Sequence, residues 1–179
     1  MNYDIAIYEP TVTNPDFRFS LGTYGEKPLF VIGLNPSTAD DKKPDRTITK
    51  VMGFATNYDC DSFIMLNLYA QRTPNPDVLH KEIDEQLHTQ NLSYILTALE
   101  KYNAISILAS WGVRITIRNY LRECLLDIYN ETKNKNINWL KIGELTRDGH
   151  PRHPSRGAYL ELTGFNIENY LTIYSKTSL

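Results

Sequence analysis

Cysteine is scarce: 179 residues hold two thiols, Cys60 and Cys124. That excludes a disulfide scaffold, and two thiols alone cannot build a four-cysteine zinc or iron–sulfur site. Long apolar runs are missing too. No stretch approaches the ~20 consecutive apolar residues of a membrane helix. The first ten residues carry Asp4 and Glu9 among their apolar positions and have no basic prelude, so they do not read as a signal peptide. There is no surplus of positive charge: 19 Lys and Arg face 21 Asp and Glu, for a net charge of −2. A globally basic nucleic-acid coat is excluded, whereas one local basic face is not. Repeats and low-complexity tracts are also lacking. The cytoplasm is the expected location.

What is present suffices for a core. Hydrophobic residues make up 41% of the chain, with 12 Tyr, 6 Phe and 2 Trp. That content is too high for a disordered chain. A chain of this length hides roughly 70% of its unfolded surface. One domain is expected over residues 1–179, with its core in 28–160.

The apolar pattern alternates between two periods. Residues 28–34, PLFVIGL, are short, β-branched and bounded by turn residues, which predicts a buried strand. Ile48, Val51, Met52 and Ala55 recur at helical spacing within 47–57. Residues 62–69 read as a second strand, and a proline-containing loop, Thr73 to Asp77, follows. Apolar positions from Ile83 to Tyr102 predict a long helix over 81–102. Residues 104–110 predict a third strand, 113–131 another amphipathic helix, and 138–142 a fourth strand. This order predicts an α/β three-layer sandwich around a mainly parallel four-stranded sheet. Ligands of such sheets gather beyond the carboxyl ends of the strands.

The strand ends are therefore the places to look. The first runs into Gly33-Leu34-Asn35-Pro36-Ser37-Thr38-Ala39-Asp40, the second ends in Asn67, and the third in Ser110-Trp111-Gly112. The fourth leads to a window from Arg147 to Arg156 that holds His150, His153 and three arginines against one aspartate. Each feature also has a plain structural reading. Asn-Pro-Ser is a common turn and helix cap. A buried Asn67 could satisfy a neighbouring loop carbonyl. The two His-Pro pairs could be a stiff solvated turn. Arg114, Arg118 and Arg122 form an i, i+4, i+8 stripe of the kind seen on solvated helix faces.

Taken in order, Gly33-Leu34-Asn35-Pro36, Phe54, Asn67 in Met-Leu-Asn, Trp111-Gly112 and His153-Pro154-Ser155 resemble the motif series of the uracil-DNA glycosylase superfamily. The chain is also similar to a bacterial and phage domain family with Leu-Asn-Pro-Ser-Thr-Ala-Asp and Gly-His-Pro-Arg-His-Pro signatures. The resemblance spans roughly residues 28–160. It implies a glycosylase-like fold and hydrolysis of the N-glycosidic bond of uracil, or a related base, in single- or double-stranded DNA. It implies no metal and no cofactor, and a monomer is expected.

By that resemblance, His153 stabilises the negative charge that builds on the departing base. Asn35 orients the attacking water, with Asp40 as a second candidate for acid–base work. Phe54 stacks on the extruded ring, and Asn67 reads its edge through donor and acceptor together. Leu34 and Ser37 contribute the rest of the base-binding loop. Ser155, Arg156, Arg152 and Arg147 are expected to contact DNA, with Lys42 and Arg46 as further phosphate contacts. Two departures stand out. Ser37 replaces the bulky tyrosine that excludes thymine in the most uracil-selective branch, and the cluster-binding cysteines of other branches are absent. His150 has no counterpart; it either orients His153 or is structural. Two alternatives remain open: a base- or DNA-binding protein without catalysis, and a nucleotide-processing enzyme that holds phosphate at a helix N-terminus.

Overall fold

Strict alternation along residues 28–33 decides the centre of the molecule. In the computed structural model, which describes residues 1–11, 14–156 and 158–176, these residues form strand β3 (Pro28–Gly33). Leu29 and Val31 face one layer, and Phe30 and Ile32 the other. A strand buried on both faces needs helices on both sides. Strand β4 (Ser62–Asn67) repeats the pattern with Phe63 and Met65 opposite Ile64 and Leu66.

Four expected strands form a parallel block in the order β4-β3-β5-β6, where β5 is Ser106–Ala109 and β6 is Asn138–Ile142. The sheet is wider than the expected four strands. Among the described residues it has seven, because β1 (Ile7–Glu9), β2 (Ser20–Gly22) and β7 (Leu162–Gly164) extend its edges antiparallel. Each added strand has three residues, too few to display a period of two. Pairing creates them: β2 with β4, β1 with β2, and β7 with β6.

Helix α1 (Arg46–Asn57) covers one face with Ile48, Val51, Phe54 and Ala55. Asp45 caps it by accepting from the Ile48 N–H at 2.9 Å. The other face carries α2 (Glu85–Lys101), α3 (Tyr120–Thr132) and α4 (Ile167–Lys176). The expected helix over 113–131 is broken. Val113–Ile117 is a 3-10 turn, Arg118 is extended, and α3 begins at Tyr120. Arg114, Arg118 and Arg122 are therefore not one helical stripe. Arg118 instead ties down the loop before α2, donating to the carbonyls of Asp77, Leu79 and His80 at 2.7–2.9 Å. No helix among the described residues is long and apolar enough to cross a membrane.

One side chain fastens the helical layer to the end of β4. Asn91, fully buried in α2, donates from Nδ2 to the carbonyls of Asn67 at 2.9 Å and Leu68 at 3.1 Å. Removing it strands two carbonyls in an apolar layer. Asn91→Ala is expected to lower stability by about 1–3 kcal/mol, read as a lower urea midpoint with an unchanged denaturant slope.

Candidate functional site

Parallel strands end on the same side of a sheet, so the loops after β3, β4, β5 and β6 meet there. Between them lies a cavity of about 730 Å³, a size that suits a small-molecule ligand. Leu34, Asn35 and Ser37 line it from the loop after β3, and Asn67 from the end of β4. Trp111 and Gly112 contribute from the end of β5. Arg152, His153, Ser155 and Arg156 come from the segment after β6.

Gly33 makes room for this convergence. A Cβ there would meet the end of the Asn67 amide at 2.9 Å and Met65 Cε at 2.5 Å. Asn67 is 1% exposed. With its amide turned so that donors meet acceptors, Nδ2 donates to the carbonyls of Asn35 at 3.2 Å and Leu66 at 3.3 Å. Both amide hydrogens then have partners, and Oδ1 is the group left to accept from a guest.

Asn35 is held just as firmly. Its Nδ2 donates to the carbonyls of Pro36 at 2.9 Å and Thr73 at 2.8 Å, with Gln71 at 3.4 Å. This joins the loop after β3 to the loop after β4. The geometry explains an amide at this position: a carboxylate would set an anion against the same carbonyls and could donate to none of them.

His153 sits in the wall with a defined tautomer. The Ser155 backbone N–H donates to its Nδ1 at 3.3 Å, and Ser155 Oγ lies 2.8 Å from the same atom. A backbone N–H only donates, so Nδ1 accepts and the neutral ring carries its proton on Nε2. Burial, reinforced by the positive charge of Arg156 and opposed by Asp45, pushes the imidazole down to about 4. At neutral pH the residue is an uncharged N–H donor. Gly112 sets its position. The glycine has φ +68°, and a Cβ there would come 3.1 Å from His153 Cβ.

Phe54 is not in the cavity. It lies on the buried stripe of α1, 2% exposed, in the core beneath the sheet, with Tyr159 edge-on at 5.0 Å. Its spacing from Ile48 and Val51 assigns it to packing, so it cannot stack on a guest. Arg147, Lys42 and Arg46 do not line the cavity either. Asp40 closes a turn, accepting from the N–H groups of Lys42 and Lys43, and those bonds hold its carboxyl below the usual range. His150 is structural. Its Nδ1 meets the Tyr170 hydroxyl at 2.8 Å, and that hydroxyl accepts from Trp111 Nε1 at 3.3 Å. The chain of contacts pins the histidine loop to α4 and to the end of β5.

Sequence reasoning missed several contributors. Arg18, Asp45, Arg114 and the Thr73–Pro76 loop all line the cavity. Arg18 stands between Phe17 and Phe19, but Asp16 and Ser20 flank them, so nothing local distinguishes it from a surface cation. Asp45 is the single acid among the lining residues, against four arginines. Among the described residues no three His, Cys, Asp or Glu side chains cluster where they could hold a metal ion.

Residues 18–155 match a family described as "Protein of unknown function (DUF1643)". The chain belongs to that family. No curated protein and no solved structure matches it. The DUF1643 span takes in every cavity-lining residue except Arg156, so the cavity lies within the family's own domain.

Two outcomes follow from the histidine and its glycine support. The native His153 imidazole binds its proton less readily than an unfolded one, whose pKa is ~6.5. Stability is therefore fully present above pH ~6.5 and falls as pH drops toward about 4, because unfolding then takes up a proton. Burial acts on His150 in the same direction. Urea midpoints of His153→Gln should fall less steeply over this window than those of the wild type, and imidazole NMR should find His153 uncharged at pH 6. Gly112→Ala should cost about 1–3 kcal/mol, because positive φ with extended ψ is a backbone region reserved almost wholly for glycine, and should shift the His153 ring resonances.

Proposed function

We propose that the chain takes an extruded pyrimidine base into this cavity and hydrolyses its N-glycosidic bond, in the manner of the uracil-DNA glycosylases, with uracil in DNA as the leading substrate. One observation carries the reading: Asn35 from the loop after β3, Asn67 from the end of β4 and His153 from the segment after β6 line a single cavity. Helices on both faces of a parallel block, with the cavity beyond its carboxyl ends, are in keeping with a glycosylase-like fold. The proposed partner is single- or double-stranded DNA, engaged by a monomer in the cytoplasm.

The chemistry runs as a stepwise displacement. The bond between C1′ and the base nitrogen breaks first, and its electrons pass to the ring. Negative charge collects on O2, where the His153 Nε2–H donates without leaving the imidazole. Water then adds to C1′ and releases a proton to the solvent, and the base leaves. Asn35 has only Oδ1 with which to orient that water, since its amide hydrogens are spent on carbonyls. An amide is no strong base, so turnover is slow. Asn67 Oδ1 accepts the N3–H of uracil; cytosine has no hydrogen there and leaves the amide oxygen mispaired. Leu34, Met65 and Trp111 form the apolar wall against the ring in place of Phe54. Arg152 and Arg156 contact phosphate.

A second reading is base or DNA binding without hydrolysis. The commitment of Asn35 Nδ2 to loop carbonyls favours it. An oligonucleotide with one uracil, incubated with the protein and then treated with alkali, separates the two. Scission at the uracil is expected, slowed by about 10²–10³-fold in His153→Ala and abolished on a cytosine control. Retention of the oligonucleotide with no released base would replace hydrolysis by binding, and neither retention nor scission would sink both.

A further inference from the structure

Arg18 is 2% exposed and lines the cavity, yet none of the ion pairs among the described residues involves it. Its Nη1 donates to the Ala39 carbonyl at 2.5 Å, and its Nε has no partner. The Tyr8 ring lies 5.6 Å from the guanidinium carbon, and its buried hydroxyl, which makes no hydrogen bond of good geometry, lies near enough to favour the charged guanidinium. The Ala39 carbonyl is already shared, because Arg72 Nη2 donates to it at 3.1 Å. One neutral oxygen thus serves two guanidinium groups. Asp45 attracts the guanidinium from beyond ion-pair distance, and a buried cation without a close counter-charge is costly, which leaves room for an anionic guest.

The first turn of α1 borders the same cavity through Asp45, Thr47 and Ile48. Asp45 uses Oδ1 on the Ile48 N–H and Oδ2 on the Ala39 N–H, so its oxygens are engaged as a cap. A twelve-residue helix directs its positive end here, beside an arginine whose Nε–H has no partner.

We propose that Arg18, with the first turn of α1, is a phosphate-binding subsite inside the cavity, and that the guest is a nucleotide held by its phosphate as well as its base. The phosphate contact requires only the cavity and the buried cation, whereas the choice of a nucleotide guest rests on the base-binding part of the proposed function. The phosphate belongs either to a DNA strand or to a free mononucleotide.

Calorimetry on the whole chain at low salt tests this with inorganic phosphate, dUMP and deoxyuridine. Phosphate is expected to bind measurably, and dUMP at least tenfold more tightly than deoxyuridine. Equal affinity for dUMP and deoxyuridine in the wild type overturns the proposal and requires no variant. Arg18→Gln, where its urea transition is retained, should erase the difference. Asp45→Asn keeps a competent helix cap and should tighten dUMP binding several-fold; unchanged or weaker binding counts against the subsite. The dinucleotide with an internal phosphodiester, compared with dUMP, assigns the phosphate to a strand if it binds tighter and to a free nucleotide if it binds weaker. Nucleotide binding without uracil excision leaves the subsite standing and removes the hydrolase. Excision without any preference for dUMP does the reverse.

Discussion

The register between β3 and β4 sets Gly33 directly beside Asn67. Two parallel strands cannot slip by one residue without turning every side chain to the other face. Both are buried on both sides, so the register is fixed by the core. The cavity inherits that rigidity. The bare Cα at Gly33 admits the Asn67 amide, which holds the Asn35 carbonyl, while the Asn35 side chain binds the next loop. Asn91 secures the same strand end from the helical layer. The floor of the site is an extension of the sheet's own hydrogen-bonding.

Charge is distributed unevenly over that floor. Four arginines and one aspartate line the cavity, and the histidine among them is neutral. Burial keeps it uncharged, and the positive charge of Arg156 adds to the effect. A neutral donor set among cations suits a guest whose negative charge is partly permanent and partly developing. Permanent charge is met by guanidinium groups and transient charge by a preorganised N–H. Arg114 is partly spent on Asp77 at 2.6 Å, and Arg152 on the Glu144 carbonyl at 2.7 Å, whereas Arg18, bonded through Nη1 to the Ala39 carbonyl, keeps its Nε–H unpartnered.

Much of this was legible in the letters. The four core strands followed from apolar runs and turn residues, and the choice of Asn35, Asn67 and His153 beyond them from the order of motifs that resembles the glycosylases. Phe54 was misjudged because a motif position outweighed a simpler signal, its place on the buried stripe of α1 with Ile48 and Val51. The edge strands escaped because three residues carry no period and exist only through their partners. The break at Arg118 was hidden by an apolar spacing that continues across it. Arg18 and Asp45 were overlooked because the cavity is assembled from segments far apart in sequence, and no local pattern marks a buried cation or a helix cap as a cavity wall.

The account rests on one guest contacting both Asn67 and His153. A crystal structure with an oligonucleotide carrying a non-hydrolysable deoxyuridine analogue addresses this directly. The account predicts the base inside the cavity, with Asn67 Oδ1 and His153 Nε2 each about 3 Å from it. A strand bound elsewhere on the surface, with its base still stacked and the cavity vacant, would contradict it.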